Sequence, residues 1–443
     1  MKYLLKDITV INEGSRIETD LLIKDERIER IDSHISGDGN TKIIDGRNKI
    51  LLPGFIDDQV HFREPGLTHK ADIASESKAA VAGGTTTVFD MPNTTPPAVT
   101  REAILNKISN AIGKTHANYS AYLGATNDNI DEIKSLKPSD VSGIKVFMGS
   151  STGNMLVDKK ESLEQIFAQA PVPIVTHCED TPMIAEQESI YREKFGDQID
   201  PEMHADIRSR EACYKSSSYA VELAKKYGTR LHVLHLTTKE EIDLFERGDV
   251  QEKHITGEVC IHHLWYSKKD YKDLGNLIKC NPSVKEESDR KALIQALKNN
   301  VLNVIATDHA PHLLSEKNNN YFEAPSGLPL IQHAFQMLLE LCHQGYFTLE
   351  EAVALSSHNP ANLFNIKDRG FIREGFYADL VIVNPNEIHK VDESELFYKC
   401  KWSPLKDFEF HQTIDTTFVN GKMVFNHGKI LEEPQGQRIL FER

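Results

Sequence analysis

The sequence predicts an α/β protein: a (β/α)8 TIM barrel carrying a small β-sandwich domain built from both termini. Three observations predict it. Short apolar runs alternate with amphipathic helical segments through the middle of the chain. Several of these runs end in residues able to bind a divalent metal. Both ends of the chain alternate instead with period two, between turns of Gly, Asn and Asp.

The ends come first. Residues 1–50 contain ITVIN, TDLLIKD, RIERIDS and TKIIDG. Residues 370–443 contain GFIREGFYADLVIVNP and TIDTTFVNGKMVFNHGKI. Within the latter, Asn420-Gly421 between two alternating runs is a hairpin signal. The simplest account joins 1–50 and 370–443 into one β-domain and leaves 51–369 as the barrel. There, strands are expected at LLPGFID, TTTVFDM, YSAYLGA, GIKVFM, PIVTHC, RLHVLHL, TGEVCI and LNVIATD. Amphipathic segments such as ADIASESKAAVAGG, SSYAVELAKKYG and DRKALIQALKNN lie between several of them. Eight strand–helix units are the number that closes a parallel barrel. A doubly wound open sheet competes, but no GxGxxG follows the first strand, which weakens its dinucleotide-binding form.

A chain of 443 residues is too long for one compact sheet and suits a barrel with an appendage. The net charge of −15 argues against a nucleic-acid or anionic-membrane surface. It leaves room for a small anionic substrate, because a local Arg or metal overrides the global sign. Cys178, Cys213, Cys260, Cys280, Cys342 and Cys400 form no CxxC, and read as reduced thiols of a cytoplasmic protein. Lys6 and Asp7 interrupt the start before a signal-peptide core can form. No apolar stretch reaches the ~20 residues of a membrane span.

The strand ends carry the chemistry. After LLPGFI come Asp57, Asp58, Gln59, Val60 and His61. With period two, Asp57, Gln59, His61 and Arg63 share one face, and Asp58, Val60 and Phe62 the other. A polar row on a barrel strand needs a partner. Alone it reads as a hydrogen-bonded cluster; with further ligands on later strands it reads as part of a metal site. Lys145 interrupts the apolar run GIKVFMGS. A solitary lysine there would usually snorkel or pair with a carboxylate. Burial lowers its pKa, and a neutral amine can add carbon dioxide to give a carbamate that bridges two metals. His177 and His235 end neighbouring strand runs and suit zinc jointly. His232, an odd number of positions from His235, should face the other way and be structural. Asp308, in ATDHAPH, is placed as a metal ligand, a general base or both. His312 just beyond is a candidate anion contact.

These segments resemble the dihydroorotases of the amidohydrolase superfamily. The resemblance rests on PGFIDDQVHFREPG, AGGTTTVFDMPNTTP, GIKVFMG, TGEVCIHHLWY, KCNPSV and IATDHAPH, and runs from about residue 50 to the end. It implies that His61, Lys145 as its carbamate, His177, His235 and Asp308 hold one or two zinc ions. It implies that Arg63, Asn93 and His312 grip a substrate carboxylate. It also implies that Asn281 and the turn Ala324-Pro325-Ser326-Gly327 contact the ring. A guanidinium fork suits a carboxylate, and metal-activated water suits a poorly electrophilic cyclic amide. The implied activity is zinc-dependent, reversible hydrolysis of dihydroorotate to N-carbamoyl-L-aspartate in pyrimidine biosynthesis, with Asp308 moving the proton. The implied setting is a cytoplasmic homo-oligomer that could partner aspartate transcarbamoylase. Where the family reads Asp-x-His-x-His, this chain has Gln59, a weak or absent ligand. Two alternatives follow: an allantoinase- or dihydropyrimidinase-type cyclic amidohydrolase, and a non-catalytic scaffold for aspartate transcarbamoylase.

Overall fold

Eight parallel strands form the barrel, each where the sequence has an apolar run. They are Phe55–Val60, Thr85–Asp90, Asn118–Ala121, Ile144–Phe147, Ile174–His177, Leu231–Val233, Ile255–Cys260 and Val304–Ala306. The computed structural model describes residues 2–149 and 155–443, so Ser150, at the end of the GIKVFMGS run, lies outside the described residues. Neighbouring strands pair in parallel, and the third reaches the fourth through the short strand Leu123–Gly124. The ring closes where the His61 amide donates to the His309 carbonyl at 2.8 Å. Such strands are covered on both faces, which is why they read as nearly continuous apolar runs.

The connecting helices start and stop where local chemistry dictates. Helix Ile73–Ala82 begins at Asp72, whose carboxylate accepts from the Ser75 amide. Helix Arg210–Tyr227 is capped by Ser209 and ends at Gly228, whose φ of 69° suits the left-handed position. Helix Glu287–Lys298 occupies the DRKALIQALKNN segment.

The termini build one nine-stranded sheet. Lys2–Asn12, Ser15–Lys24, Arg27–Asp32, Thr41–Asp45 and Ile50–Pro53 come from the start of the chain. Leu380–Asn384, Thr413–Val419, Lys422–Asn426 and Lys429–Ile430 come from its end. Ile50–Pro53 is the seam. It runs parallel to the first strand and antiparallel to Leu380–Asn384, with Leu52 opposite Val381. Leu5, Ile8, Leu21, Ile23, Leu380, Ile382 and Phe418 fill a core separate from that of the barrel.

Two stretches of the tail leave this sheet and pack on the barrel. The Trp402 indole donates to the His312 carbonyl at 2.8 Å. Ile439 and Phe441 join Ile56, Phe89, Val175 and Val304 in one apolar cluster. Among the described residues, no helix is long and apolar enough to cross a membrane.

The Asn420-Gly421 turn joins Val419 to Lys422 with φ of 50° and 70°. Both values are positive, as the tight hairpin turn requires. Asn420 Nδ2 also donates to Asn118 Oδ1 at 2.8 Å, docking the turn on the third barrel strand. A Cβ on Gly421 would sit 2.1 Å from the Asp25 carbonyl oxygen. Gly421→Ala is therefore expected to destabilise the protein by about 1–3 kcal/mol, from left-handed strain plus the clash. A thermal melt of both proteins checks it; an unchanged midpoint would mean that the turn and the Asp25 backbone beside it yield freely.

Candidate active site

The carboxyl ends of the barrel strands surround a narrow cleft of about 30 Å³. The first strand brings Gln59 and His61, with Arg63 just beyond it; the fourth brings Lys145 and Phe147. The fifth ends at His177, His235 follows the sixth, and Asp308 follows the eighth. Asn281, Ala310, Ser326 and Gly327 complete the wall from loops. Arg63, His235 and Asp308 hold φ of 64°, 38° and 46°. A left-handed backbone at such residues costs on the order of 1–3 kcal/mol each, and it persists where surrounding contacts over-determine it.

Asp308 is the hub. Its Oδ1 lies 3.1 Å from His61 Nε2 and accepts from Gln59 Nε2 at 3.1 Å. Burial acts to raise its pKa, but the His61 contact and the nearby positive groups outweigh burial and hold the carboxyl below its ordinary range. His61 Nδ1 meets Asn93 Oδ1 at 2.8 Å, so Asn93 fixes the ring of His61. Gln59 turns its amide nitrogen to Asp308, while its oxygen takes the Cys260 thiol at 3.8 Å.

Across the cleft, His177 Nδ1 and His235 Nε2 are 3.0 Å apart. Burial pulls both imidazoles below their ordinary pKa, which leaves them neutral. His177 Nε2 and His235 Nδ1 are buried without a hydrogen bond. Burial lowers the Lys145 pKa to about 8. Among the described residues, no carboxylate lies within ion-pair distance of its amine, which stands 4.7 Å from the centre of the Phe147 ring. Neutral imidazoles whose facing nitrogens converge to 3.0 Å, a carboxylate kept ionised and, among the described residues, an unpaired lysine amine fit a divalent metal and a carbamate.

Arg63 is 4 % exposed and has no acidic partner among the described residues. Burial lowers its pKa to about 10, so it stays charged at neutral pH. Its Nε donates to the Pro311 carbonyl at 3.2 Å. His312 Nδ1 lies 3.1 Å from Lys70 Nζ, and an ammonium can only donate. The proton of the neutral ring is therefore on Nε2, which donates to the Ser326 carbonyl at 3.1 Å. Arg63 Nη2, 3.1 Å from that same Nε2, thus faces another donor. The His312 proton is taken by Ser326, so Arg63 Nη2 finds no acceptor there and the guanidinium is left as an anion seat.

Several expectations need correction. Asp57 does not share the cleft face with Gln59 and His61. Its carboxylate accepts from Thr307, at 3.1 Å from the amide and 2.5 Å from the hydroxyl, and locks the first strand to the eighth. The register shifts between Asp57 and Val60, and that bulge ends the simple alternation. Asp58 consequently meets His232 at 3.4 Å. His232 does not face away from the barrel axis either. The sixth strand ends at Val233, and the left-handed backbone at His235 breaks the count. Pro325, between Ala324 and Ser326 in the same turn, offers its carbonyl to Lys317 Nζ at 2.9 Å.

Sequence reasoning missed four residues. Phe147, two positions after Lys145, lines the cleft. Lys70 sets the His312 tautomer and pairs with Glu316 at 2.7 Å. Glu179 stands 3.2 Å from His177 Nε2 and is ion-paired with Arg208. The period-two rule applied to His177 would have flagged Glu179, while nothing local flags Arg208. Among the described residues, two other groups of potential ligands converge closely: Cys260 with His262 and His263, and Asp58 with His232 and Glu258.

The sequence pattern of the amidohydrolase family, a metal-dependent family, matches residues 50–424. The dihydroorotase of Halobacterium salinarum is 32 % identical over 411 residues, covering 92 % of this chain and 93 % of its own. That of Pyrococcus horikoshii is 31 % identical over 448 residues, covering 100 % of this chain and 94 % of its own. Among solved structures, an L-hydantoinase from Arthrobacter aurescens superposes with a TM-score of 0.93 at 24 % identity, over 99 % of each chain. A dihydropyrimidinase from Brevibacillus agri gives 0.89 at 22 % identity, over 100 % of each chain. Those likenesses speak for the fold: a TIM barrel with a β-sandwich. By its sequence the chain belongs to the amidohydrolase family and, within it, groups with the dihydroorotases.

Proposed function

We propose that this chain is a zinc-dependent cyclic amidohydrolase that interconverts dihydroorotate and N-carbamoyl-L-aspartate. The observation that carries the choice of substrate is the anion seat. Arg63 is a buried, charged guanidinium with no carboxylate partner among the described residues, and His312 Nε2, whose proton goes to the Ser326 carbonyl, gives its Nη2 no acceptor. An unpaired buried charge is costly, and a substrate carboxylate supplies the missing partner in the fork geometry that arginine favours. Hydantoin and allantoin lack that carboxylate.

His61, Lys145, His177, His235 and Asp308 would hold the zinc. When bound, the metal polarises the ring carbonyl and acidifies a water. The chain's own residues do the rest. Arg63 and His312 anchor the carboxylate, and Asn281, Ser326 and Gly327 border the space left for the ring. Asp308, kept ionised, accepts a proton from the attacking water and returns it to the leaving ring nitrogen. Asn93 and Glu179 orient His61 and His177. The same reading assigns the catalytic barrel to 51–369 and the supporting β-domain to 1–50 and 370–443. It makes the protein a cytoplasmic homo-oligomer able to associate with aspartate transcarbamoylase.

The zinc-loaded protein should turn over dihydroorotate in both directions. Turnover of hydantoin or allantoin that exceeds it would transfer the assignment to that branch. A protein that binds no metal and turns nothing over would favour the scaffold.

Gln59 sets a separate expectation. With its amide nitrogen turned to Asp308, it offers no strong ligand beside His61. Chelation should then strip zinc in two steps, the His61 side first. Gln59→His should bind that ion more tightly and leave the ion at His177 and His235 nearly unchanged. Metal content measured across a chelator titration decides it; identical single-step curves for both proteins would mean that Gln59 does not govern occupancy.

A further inference from the structure

Beneath the cleft, inside the barrel, lies a second polar cluster. Asp58 belongs to the first strand, His232 to the sixth and Glu258 to the seventh. The first and sixth strands are not neighbours, so the contact crosses the barrel interior. All three side chains are 0 % exposed.

His232 Nε2 lies 3.4 Å from Asp58 Oδ2 and 3.6 Å from Glu258 Oε2. Charge-assisted hydrogen bonds run at about 2.7–2.9 Å, so these contacts are long. Both Asp58 oxygens, Glu258 Oε2 and His232 Nε2 are buried without a hydrogen bond. The tautomer is fixed from behind. The Thr256 hydroxyl donates to the Leu231 carbonyl at 3.3 Å, so its oxygen accepts the His232 Nδ1 proton at 2.8 Å. Burial acts to lower the His232 pKa, but the two carboxylates outweigh it and raise it to about 9; a metal would take the place of that proton, and Nε2 of the neutral ring would then present its lone pair.

The ligand atoms of the three residues all lie within 4.8 Å of one another. Zinc bonds of about 2.0–2.1 Å at tetrahedral angles separate ligand atoms by roughly 3.4 Å. The two separations from His232 Nε2, 3.4 and 3.6 Å, match that figure. Two buried carboxylates also call for a compensating cation, and a divalent ion matches their charge. Thr256 fixes the imidazole as metal-bound histidines are usually fixed.

We propose that Asp58, His232 Nε2 and Glu258 Oε2 hold a divalent metal ion, of the zinc class, in the barrel interior, separate from the ions of the cleft. Its role is structural: it ties the first, sixth and seventh strands below the catalytic rim. The competing arrangement is an imidazolium shared by the two carboxylates, with no metal.

Anomalous diffraction at the zinc edge, on crystals of the full chain grown with zinc, tests this. A peak bonded to these three side chains is expected, apart from any peak in the cleft. Solution metal analysis should show one equivalent fewer per chain in Asp58→Asn, whose amide lacks the charge. Absence of a peak at the cluster in zinc-grown wild-type crystals overturns the proposal, as does unchanged metal content in a folded Asp58→Asn. If that variant does not fold, the wild-type map decides alone. Neither readout uses turnover, so failure here and failure of the dihydroorotase reading remain distinguishable.

Discussion

Asp308→Asn is expected to lower kcat for dihydroorotate by about 10²–10⁴-fold, the range for loss of a general acid–base residue. Shape and volume are kept, and Asn can still accept from Gln59 and His61 through its oxygen. The ionised carboxylate is lost, and with it the base. Asp308 is buried yet held below the ordinary carboxylate pKa by His61. The wild-type group is thus ready to take a proton at neutral pH. Metal content must be measured alongside, because the same oxygens would help to hold zinc. A variant with near-normal turnover at full metal content would mean that the proton goes elsewhere.

Arg63→Ala should cost about 2–5 kcal/mol of transition-state binding, roughly 30- to 5,000-fold in kcat/KM. The size follows from burial: a desolvated charge pair is worth far more than an exposed one. Arg63→Lys should recover only part of the loss, since an ammonium keeps the charge but lacks the fork. Selectivity is the sharper readout. Arg63→Ala should discriminate less between dihydroorotate and a carboxylate-free ring. An equal loss on both kinds of substrate would show that Arg63 supports the cleft without reading the carboxylate.

Much of this was legible in the sequence, for a definite reason. Barrel strands are covered on both faces, so all eight stand out as short apolar runs, and a polar residue ending such a run is conspicuous. His61, Lys145, His177, His235 and Asp308 were found that way, and the structure gathers them around one cleft. Asn420-Gly421 was legible because its two left-handed residues have a sequence signature. What failed was side-chain direction at strand ends. Asp57 and His232 were placed by a period-two rule that a bulge and a left-handed residue interrupt. Lys70 and Arg208 were invisible because their partners, His312 and Glu179, lie 242 and 29 positions away. No local pattern encodes such pairings.

The seam strand sets an order of events during synthesis. Leu51 and Leu52 pair with Ile382 and Val381, some 330 positions later. Until the ribosome has delivered that segment, Ile50–Pro53 has an open edge on that side, next to strands that are already complete. Contacts this far apart in sequence form slowly, and an unpaired apolar edge invites other chains. A nascent or truncated chain ending before residue 380 would therefore have an intact barrel sequence and an unfinished sheet. Its hazard would be association through that edge, which makes the last sixty residues a safeguard for the first fifty.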